Sequence, residues 1–196
     1  MNVMKKLLGF CAFLALAFEL SAKSSKIVGF DIGLSSGLPV YSDSAVSDSN
    51  ELVNDGDFNR VIAGGLFDFS FRLCEPLKLL LGADLLCDFI WSGSDYSNHL
   101  DYAFWSGIKA YPGIGGLNCS VAYALGRRSD FRNNDADDSI ISSSSWGNGF
   151  RLGVEYDFLY GSSRTCMPAL GFYYRFMPRG NDTYDNIFSV YISIVR

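Results

Sequence analysis

The chain has 196 residues, of which 48% are hydrophobic, 15% aromatic and only 19% charged, and its formal net charge is −5. That length suits a single domain, and an acidic chain without a basic stripe is a poor ligand for nucleic acid. Beyond the N-terminal segment, no apolar run approaches the ~20 residues that a membrane-spanning helix needs.

The N-terminus has the pattern of an export signal. Two lysines precede an apolar stretch at residues 7–18, and Leu20-Ser21-Ala22 offers a small-residue cleavage site. We therefore expect residues 1–22 to be a cleaved signal peptide and residues 23–196 to form one exported domain. A retained helical anchor is the alternative, but the apolar stretch is short and ends at Glu19.

The first half of the exported chain contains four segments in which apolar and polar residues alternate, as in a strand with one apolar face. They lie near residues 28–37, 60–73, 77–91 and 101–111, with polar stretches at 39–59 and 92–100. The third segment is ambiguous, because its leucine run at 79–81 would also suit a buried helix. A strand is favoured, since Lys78, Asp84 and Asp88 then share one face.

The second half repeats the pattern four times. The segments lie at 117–127, 146–159, 166–177 and 186–196, with polar stretches at 128–145 and 178–185. We predict that the last segment closes a barrel, because its backbone would otherwise be left unpaired. The connection lengths predict short turns at one end of the strands and longer loops at the other.

Alternation alone does not distinguish a membrane barrel from a soluble barrel with apolar side chains inside. The predicted strands run to about 10–14 residues, closer to the 9–11 of membrane strands than to the 5–6 of soluble sheets. Their polar face mixes small residues with charges, which suits a narrow lumen. We therefore predict an all-β fold, an eight-stranded antiparallel up-and-down transmembrane β-barrel, with a soluble lipocalin-like ligand-binding barrel as the competitor.

The export signal, the eight amphipathic strands and the terminal strand resemble the small bacterial outer-membrane barrels of the OmpA-transmembrane, OmpX and OmpW type. The resemblance covers residues 23–196 and is one of pattern. It implies location in the cell outer membrane, contact with membrane lipids, insertion by the barrel-insertion machinery and loops that face outward. Arg196 stands where such proteins usually end in an aromatic residue, so recognition by that machinery would depend on Ile194, Ile192 and Val190.

Charges of both signs occur on the predicted inner face. An unpaired charge in a narrow dry lumen is costly, so we expect these side chains to form ion pairs. They support two interpretations: a closed structural barrel, or a narrow or gated pore for ions or small solutes. The candidate lining residues of such a pore are Asp84, Arg151, Glu155, Arg175, Asp68 and Lys109.

The predicted loops are acidic and rich in serine and asparagine. They are either simply solvated or, in the alternative function of a surface adhesin, bind a host or matrix protein. The candidate binding residues are Asp43, Asp48, Glu51, Asp55 and Asp57 in the first loop, and Asp135, Asp137 and Asp138 in the third.

We expect no enzymatic activity, cofactor or metal site. His99 is the sole histidine and lies in a predicted loop, with no serine placed to pair with it. The aspartate spacing matches no EF-hand loop. Cys87 and Cys119 fall near opposite ends of non-adjacent predicted strands, and Cys74 and Cys166 lie near turns that are not neighbours, so we expect free thiols.

Overall fold

The computed structural model describes residues 27–54, 58–74, 76–134, 137–160 and 166–195. The predicted signal peptide at residues 1–22 lies outside them. The strands and helix of the described residues are β1 (Val28–Tyr41), α1 (Ser44–Asn54), β2 (Asn59–Cys74), β3 (Leu77–Ser92), β4 (Asp95–Ala110), β5 (Leu117–Asn134), β6 (Asp137–Ser143), β7 (Gly147–Asp157), β8 (Met167–Gly180) and β9 (Thr183–Val195).

Eight of the strands form a closed antiparallel barrel. Each pairs with its neighbours in chain order, β5 pairs with β7, and β9 returns to pair with β1, with Ile194 opposite Ile32. The short strand β6 lies outside this ring and pairs with the end of β5 that extends past β7. The predicted eight-stranded fold, with the last strand closing it, is confirmed.

The barrel has an apolar outside, and its inside combines charged and polar side chains with buried apolar ones such as Leu80 and Leu86. Large hydrophobic side chains are exposed all around it, for example Leu34, Phe104, Val121 and Val190, and form what we call the apolar belt. The ambiguous third segment is a strand, as predicted, with Asp84 buried inside and the neighbouring Leu85 exposed. None of the described helices is long and apolar enough to cross a membrane.

Two of the predicted polar loops are wrong. Residues 92–100 and 178–185 belong mostly to strands, and the connections shrink to a turn at residues 93–94 and a turn at 181–182. Gly93 has positive φ, and so do Asn181 and Asp182, which is the conformation that tight hairpins require. The predicted alternation of short turns and longer loops is therefore also wrong.

The two long polar stretches contain regular structure that we did not predict. Strand β5 continues through 128–134 and β6 returns along it, so residues 128–145 are largely a hairpin. In the first stretch, Asp43 begins helix α1 by accepting a hydrogen bond from Ala45 N at 3.1 Å. Val46 of this helix is fully buried, so α1 is packed against the barrel.

The two ends of the barrel differ. Helix α1, the β5–β6 hairpin and the β3–β4 and β8–β9 turns lie at one end, which we call the loop end. The β4–β5 and β7–β8 connections, the start of β1 and the end of β9 lie at the other, the terminal end.

Candidate functional site

The lumen is filled by buried charged side chains, and the predicted candidates are among them. Alternation along each strand directs them inward, because successive side chains point to opposite faces. Those candidates are Asp68, Asp84, Lys109, Arg151, Glu155 and Arg175, each at most 5% exposed.

A chain of ion pairs extends from the middle of the lumen to the loop end. Arg175 contacts Asp84 and Asp101, and Arg179 contacts Asp101 and also Asp185, the latter with Nε 2.6 Å from Oδ2. Carboxylates and guanidinium groups alternate without interruption. We call this chain the charge ladder, with members Asp84, Arg175, Asp101, Arg179, Asp185, Arg128 and Asp130.

Arg128 forms the part of the ladder nearest the loop end. Its Nη1 donates to both oxygens of Asp185, at 2.6 and 2.7 Å, and its Nε donates to Asp130 at 2.8 Å. Its Nη2 donates to Asp43 at 3.2 Å, so the ladder reaches the residue that begins α1. The planar guanidinium group, with five N–H donors, suits this bridging of several carboxylates.

His99 fastens helix α1 to the barrel. Its Nδ1 lies 2.7 Å from Asp130 Oδ1, and its Nε2 lies 3.0 Å from Asn50 Oδ1 of α1 and 3.1 Å from Ser97 Oγ. The prediction of a loop histidine without a nearby serine is therefore wrong, because β4 extends further than the polar composition indicated. Ser97 is fully buried and donates to Asn50 at 2.8 Å, so these contacts hold α1 in place.

Asp130 lies beyond the apolar belt, since the outward face of β5 becomes polar at Arg127 and Ser129. Burial raises the pKa of the Asp130 carboxyl, but hydrogen bonds from His99 and Arg128 outweigh that effect and hold its pKa below the usual range. The ionised form of Asp130 is thus the form that joins the ladder to His99.

Aromatic rings surround Arg151 in the middle of the lumen. Its guanidinium carbon lies 4.1 Å from the centroid of the Tyr173 ring and 4.6 Å from that of Trp105. Its Nε is 3.7 Å from Asp84, the first member of the ladder. Glycine makes room for these rings, because a Cβ at Gly82 would overlap Trp105. Arg151 and its rings therefore lie between the two halves of the lumen, in contact with the first member of the ladder.

The terminal half holds a different arrangement, centred on Lys109. Its Nζ donates to Glu155 at 2.9 Å and to Asp31 at 3.4 Å. Glu155 also accepts hydrogen bonds from Asn118 at 3.0 Å and Tyr191 at 2.8 Å. We call Lys109, Asp31, Glu155 and the nearby Asp68 the lysine cluster.

The acidic loop candidates do not form one cluster in the described residues. Asp43 caps α1 and contacts Arg128, while Asp48 and Glu51 are exposed on α1. The remaining candidates cannot be placed: Asp55, Asp57 and Asp135 lie outside the described residues, as do the side chains of Asp137 and Asp138 on β6.

Most members of the ladder were not predicted from the sequence. Asp101, Arg128, Asp130, Arg179 and Asp185 were not assigned to the lumen, chiefly because the predicted strands were too short. The signal that could have found them is parity, since Arg128 and Asp130 continue the inward-facing even positions of β5.

The described residues contain no group of three or more His, Cys, Asp or Glu side chains placed to hold a metal ion. The cysteines Cys74, Cys87, Cys119 and Cys166 are free thiols.

Comparison with known proteins identifies the fold. No family model matches the chain, and no curated protein matches its sequence. Among solved structures, Ail, the attachment invasion locus protein of Yersinia pestis, is 7% identical, with 86% of this chain and 97% of that one covered and a TM-score of 0.59. Neisserial surface protein A is 10% identical, with 88% and 99% covered and a TM-score of 0.51. At these identities the likeness concerns architecture: the chain has the fold of the small eight-stranded outer-membrane β-barrels.

Proposed function

We propose that this protein is an outer-membrane β-barrel with a closed lumen, which presents helix α1 and the β5–β6 hairpin at the cell surface. The apolar belt supports the membrane location, because such a surface would not remain in water. On this proposal residues 1–22 are removed after export and the insertion machinery assembles the barrel from the periplasm.

The charge ladder is the observation that favours closure over a pore. Its members are fully or almost fully buried, and each carboxylate between Arg175 and Arg128 is bound by two arginines. An ion that crossed the barrel would have to displace these pairs, and opening a buried ion pair is strongly unfavourable. Helix α1 adds a second obstruction over the same end.

Conductance tests closure directly. Residues 23–196, refolded from detergent into a planar lipid bilayer, are expected to insert and leave the current at the baseline of the protein-free membrane. Insertion is checked in parallel by the migration of unheated and heated samples on a denaturing gel, since a folded barrel resists cold detergent. A steady current from inserted protein would contradict closure and favour the pore interpretation.

A second candidate function is adhesion, favoured by apolar side chains on the projecting hairpin. Phe131 and Ile141 are opposite each other on β5 and β6, and Ile141 is 74% exposed. Ser129 and Ser143 separate them from the apolar belt, so they lie beyond its edge on the hairpin. Exposed apolar side chains on a rigid projecting element are typical of a protein-binding surface.

One solved structure of Ail is a complex with the heparin analogue sucrose octasulfate. The acidic residues of the present loop end, such as Asp48 and Glu51, would repel a polysulfated ligand. As an adhesin, the present barrel would therefore bind a protein through its apolar hairpin. Cells that display the barrel are expected to lose their binding to host-cell protein when serine replaces Phe131 and Ile141. The heat-dependent shift in gel migration, which reports folding of the barrel, is expected to persist. Unchanged binding would rule out the hairpin as the adhesive surface.

A further inference from the structure

Two buried carboxylates lie side by side in the terminal half of the lumen. Asp31 on β1 and Asp68 on β2 are opposite each other in the antiparallel ladder, and both point inward. Opposite residues of such a pair have Cβ atoms about 5 Å apart, and like charges there repel each other. The two side chains are 2% and 5% exposed, so little water screens that repulsion.

Lys109 does not neutralise both groups. Its shorter contact is to Glu155, and its contact with Asp31 is long, at 3.4 Å, and uses Oδ2. The Oδ1 atoms of Asp31 and Asp68 have no hydrogen-bond partner. The next cation of the lumen, Lys78, donates instead to Tyr111 OH at 3.2 Å.

Two hydroxyl groups on the same wall of the lumen also lack partners. Ser193 on β9 is opposite Gly33, the inward-facing residue that follows Asp31 on β1, and Ser35 is the next inward-facing residue. Both Oγ atoms are buried without a hydrogen bond. Three adjacent strands, β9, β1 and β2, therefore direct four unpartnered oxygen atoms into the lumen.

We propose that this wall binds a small hard cation through the carboxylates of Asp31 and Asp68, with the hydroxyl of Ser193 as a third ligand. Ser35 lies about 13 Å along β1 from Asp31, too far to share the cation. Hard cations take carboxylate, hydroxyl and water oxygens as ligands. Binding relieves the repulsion between the two carboxylates and satisfies buried polar atoms that are costly to leave unpaired. Two carboxylates and one hydroxyl fill only part of the shell of such a cation, and buried water would supply the remaining ligands.

The cation can be a monovalent ion such as sodium or a divalent ion such as calcium, and a thermal experiment separates them. The refolded protein in detergent micelles is dialysed into choline chloride at fixed pH. Sodium chloride or calcium chloride then replaces choline at constant ionic strength, while the unfolding temperature is followed by circular dichroism. Wild type is expected to gain about 5–10 °C with one of the two salts once the cation reaches a hundredfold its Kd.

Two variants test the assigned ligands. In Asp68→Asn the gain is expected to vanish, and in Ser193→Ala it should require a higher cation concentration. Asp182→Asn is the matched control, because it removes the same charge from an exposed turn and asparagine tolerates the positive φ there. Its gain is expected to equal that of wild type.

Three results would overturn the proposal. The first is an unfolding temperature of wild type that does not change in either salt. The second is a cation response of the same size in Asp68→Asn as in wild type. The third is an Asp68→Asn protein that is more stable than an unresponsive wild type, which would mean that the acidic pair holds a shared proton or water only.

Discussion

The two halves of the lumen both contain buried charged residues, but they differ in how completely their carboxylates are paired. In the charge ladder, carboxylates alternate with arginines, and each carboxylate accepts a hydrogen bond from at least one guanidinium group, although Asp84 Oδ2 has no hydrogen-bond partner. In the lysine cluster, three carboxylates surround one ammonium group, and oxygens of Asp31 and Asp68 remain without a partner. Both halves are buried to a similar degree, so exposure does not explain the difference.

The difference lies in the cationic side chain, which is arginine in the ladder and lysine in the cluster. Arginine presents several donors in a rigid plane and can bridge two carboxylates, whereas lysine is a point charge that satisfies one of them well. Every carboxylate of the ladder therefore has an arginine partner, although Asp84 Oδ2, Arg175 Nε and Arg179 Nη1 make no hydrogen bond, and the ladder suits a structural closure. The lysine cluster has unused oxygen ligands and suits a binding site. The completeness of carboxylate pairing, and not the number of charges in the lumen, distinguishes a structural closure from a binding site.

Removal of Arg175 is expected to have the largest effect on stability. Arg175→Met leaves the carboxylate of Asp84 with only a distant arginine and that of Asp101 with one partner, and both stay buried. Breaking a buried ion pair from one side costs about 3–5 kcal/mol. The loss is measured by urea unfolding of the barrel refolded into lipid vesicles.

Arg127→Met is the control for that substitution. Arg127 lies on the outward face of β5, and its one hydrogen bond among the described residues is to Ser144 O, so its loss should cost less than about 1 kcal/mol. Equal losses in the two variants would mean that the ladder contributes nothing beyond an ordinary surface arginine.

The stability of the barrel should fall more when the Lys109 side chain of the lysine cluster is removed than when the charge of Asp68 is removed. Lys109→Met is expected to cost about 2–3 kcal/mol, since Tyr191 and Asn118 still donate to Glu155. Asp68→Asn, in a buffer without binding cations, should change stability by about 1 kcal/mol or less, because its Oδ1 atom has no partner to lose. A large loss in Asp68→Asn under those conditions would show that the cluster is as completely paired as the ladder.

Loss of the His99 imidazole should release helix α1 and leave the barrel intact. His99→Ala removes the contacts to Asn50 and Asp130, at a local cost of about 1–2 kcal/mol. Faster amide hydrogen exchange over Ser44–Asn54, with unchanged exchange in β1 and β9, is the expected result. Equal protection of α1 in both proteins would mean that its other contacts, such as that of Ser97 with Asn50, are enough to hold it.

Acid should weaken the loop end through Asp130, with the smallest effect. Its pKa is lowered in the folded protein, so its stabilising contribution is complete above its usual pKa of 3.8 and is lost as the pH falls through the folded value. Asp130→Asn should abolish this part of the pH dependence. The difference in unfolding free energy between wild type and variant is therefore expected to shrink between pH 6 and pH 3, by about 1 kcal/mol. If the difference in unfolding free energy stays constant with pH, the charge of Asp130 does not contribute to the stability of the ladder.

Strand periodicity made the barrel predictable. Alternation at 60–73 and 186–196 correctly predicted that Phe67 and Val190 face outward and that Asp68 and Ser189 face inward, because a barrel in lipid needs an apolar outer face. The same argument resolved β3, whose leucine run reads as helical until Asp84 and Asp88 are placed on one face. The inward position of Lys109 and Glu155 followed directly.

The loop end was harder to predict, since strands beyond the apolar belt no longer need an apolar face. Phe131 and Ser129 share the outward face of β5, so composition alone indicates a loop there. Polar turns such as Asn181-Asp182 then look like parts of longer loops. Helix α1 depends on its contacts with His99 and the buried Val46, and those contacts exist only once the barrel has formed.

The most direct test of closure by the charge ladder is a comparison of conductances. In one variant serine replaces Arg175, Arg179 and Asp101, which removes the middle of the ladder and leaves Asp84 with Arg151 and Asp185 with Arg128. In the matched variant methionine replaces both arginines and leucine replaces Asp101, so that the charges are lost but the volume remains filled. All three proteins are inserted into planar bilayers. If the charge ladder closes the lumen, only the serine variant will carry current. Current from wild type, or no current from a folded serine variant, would contradict closure by the ladder.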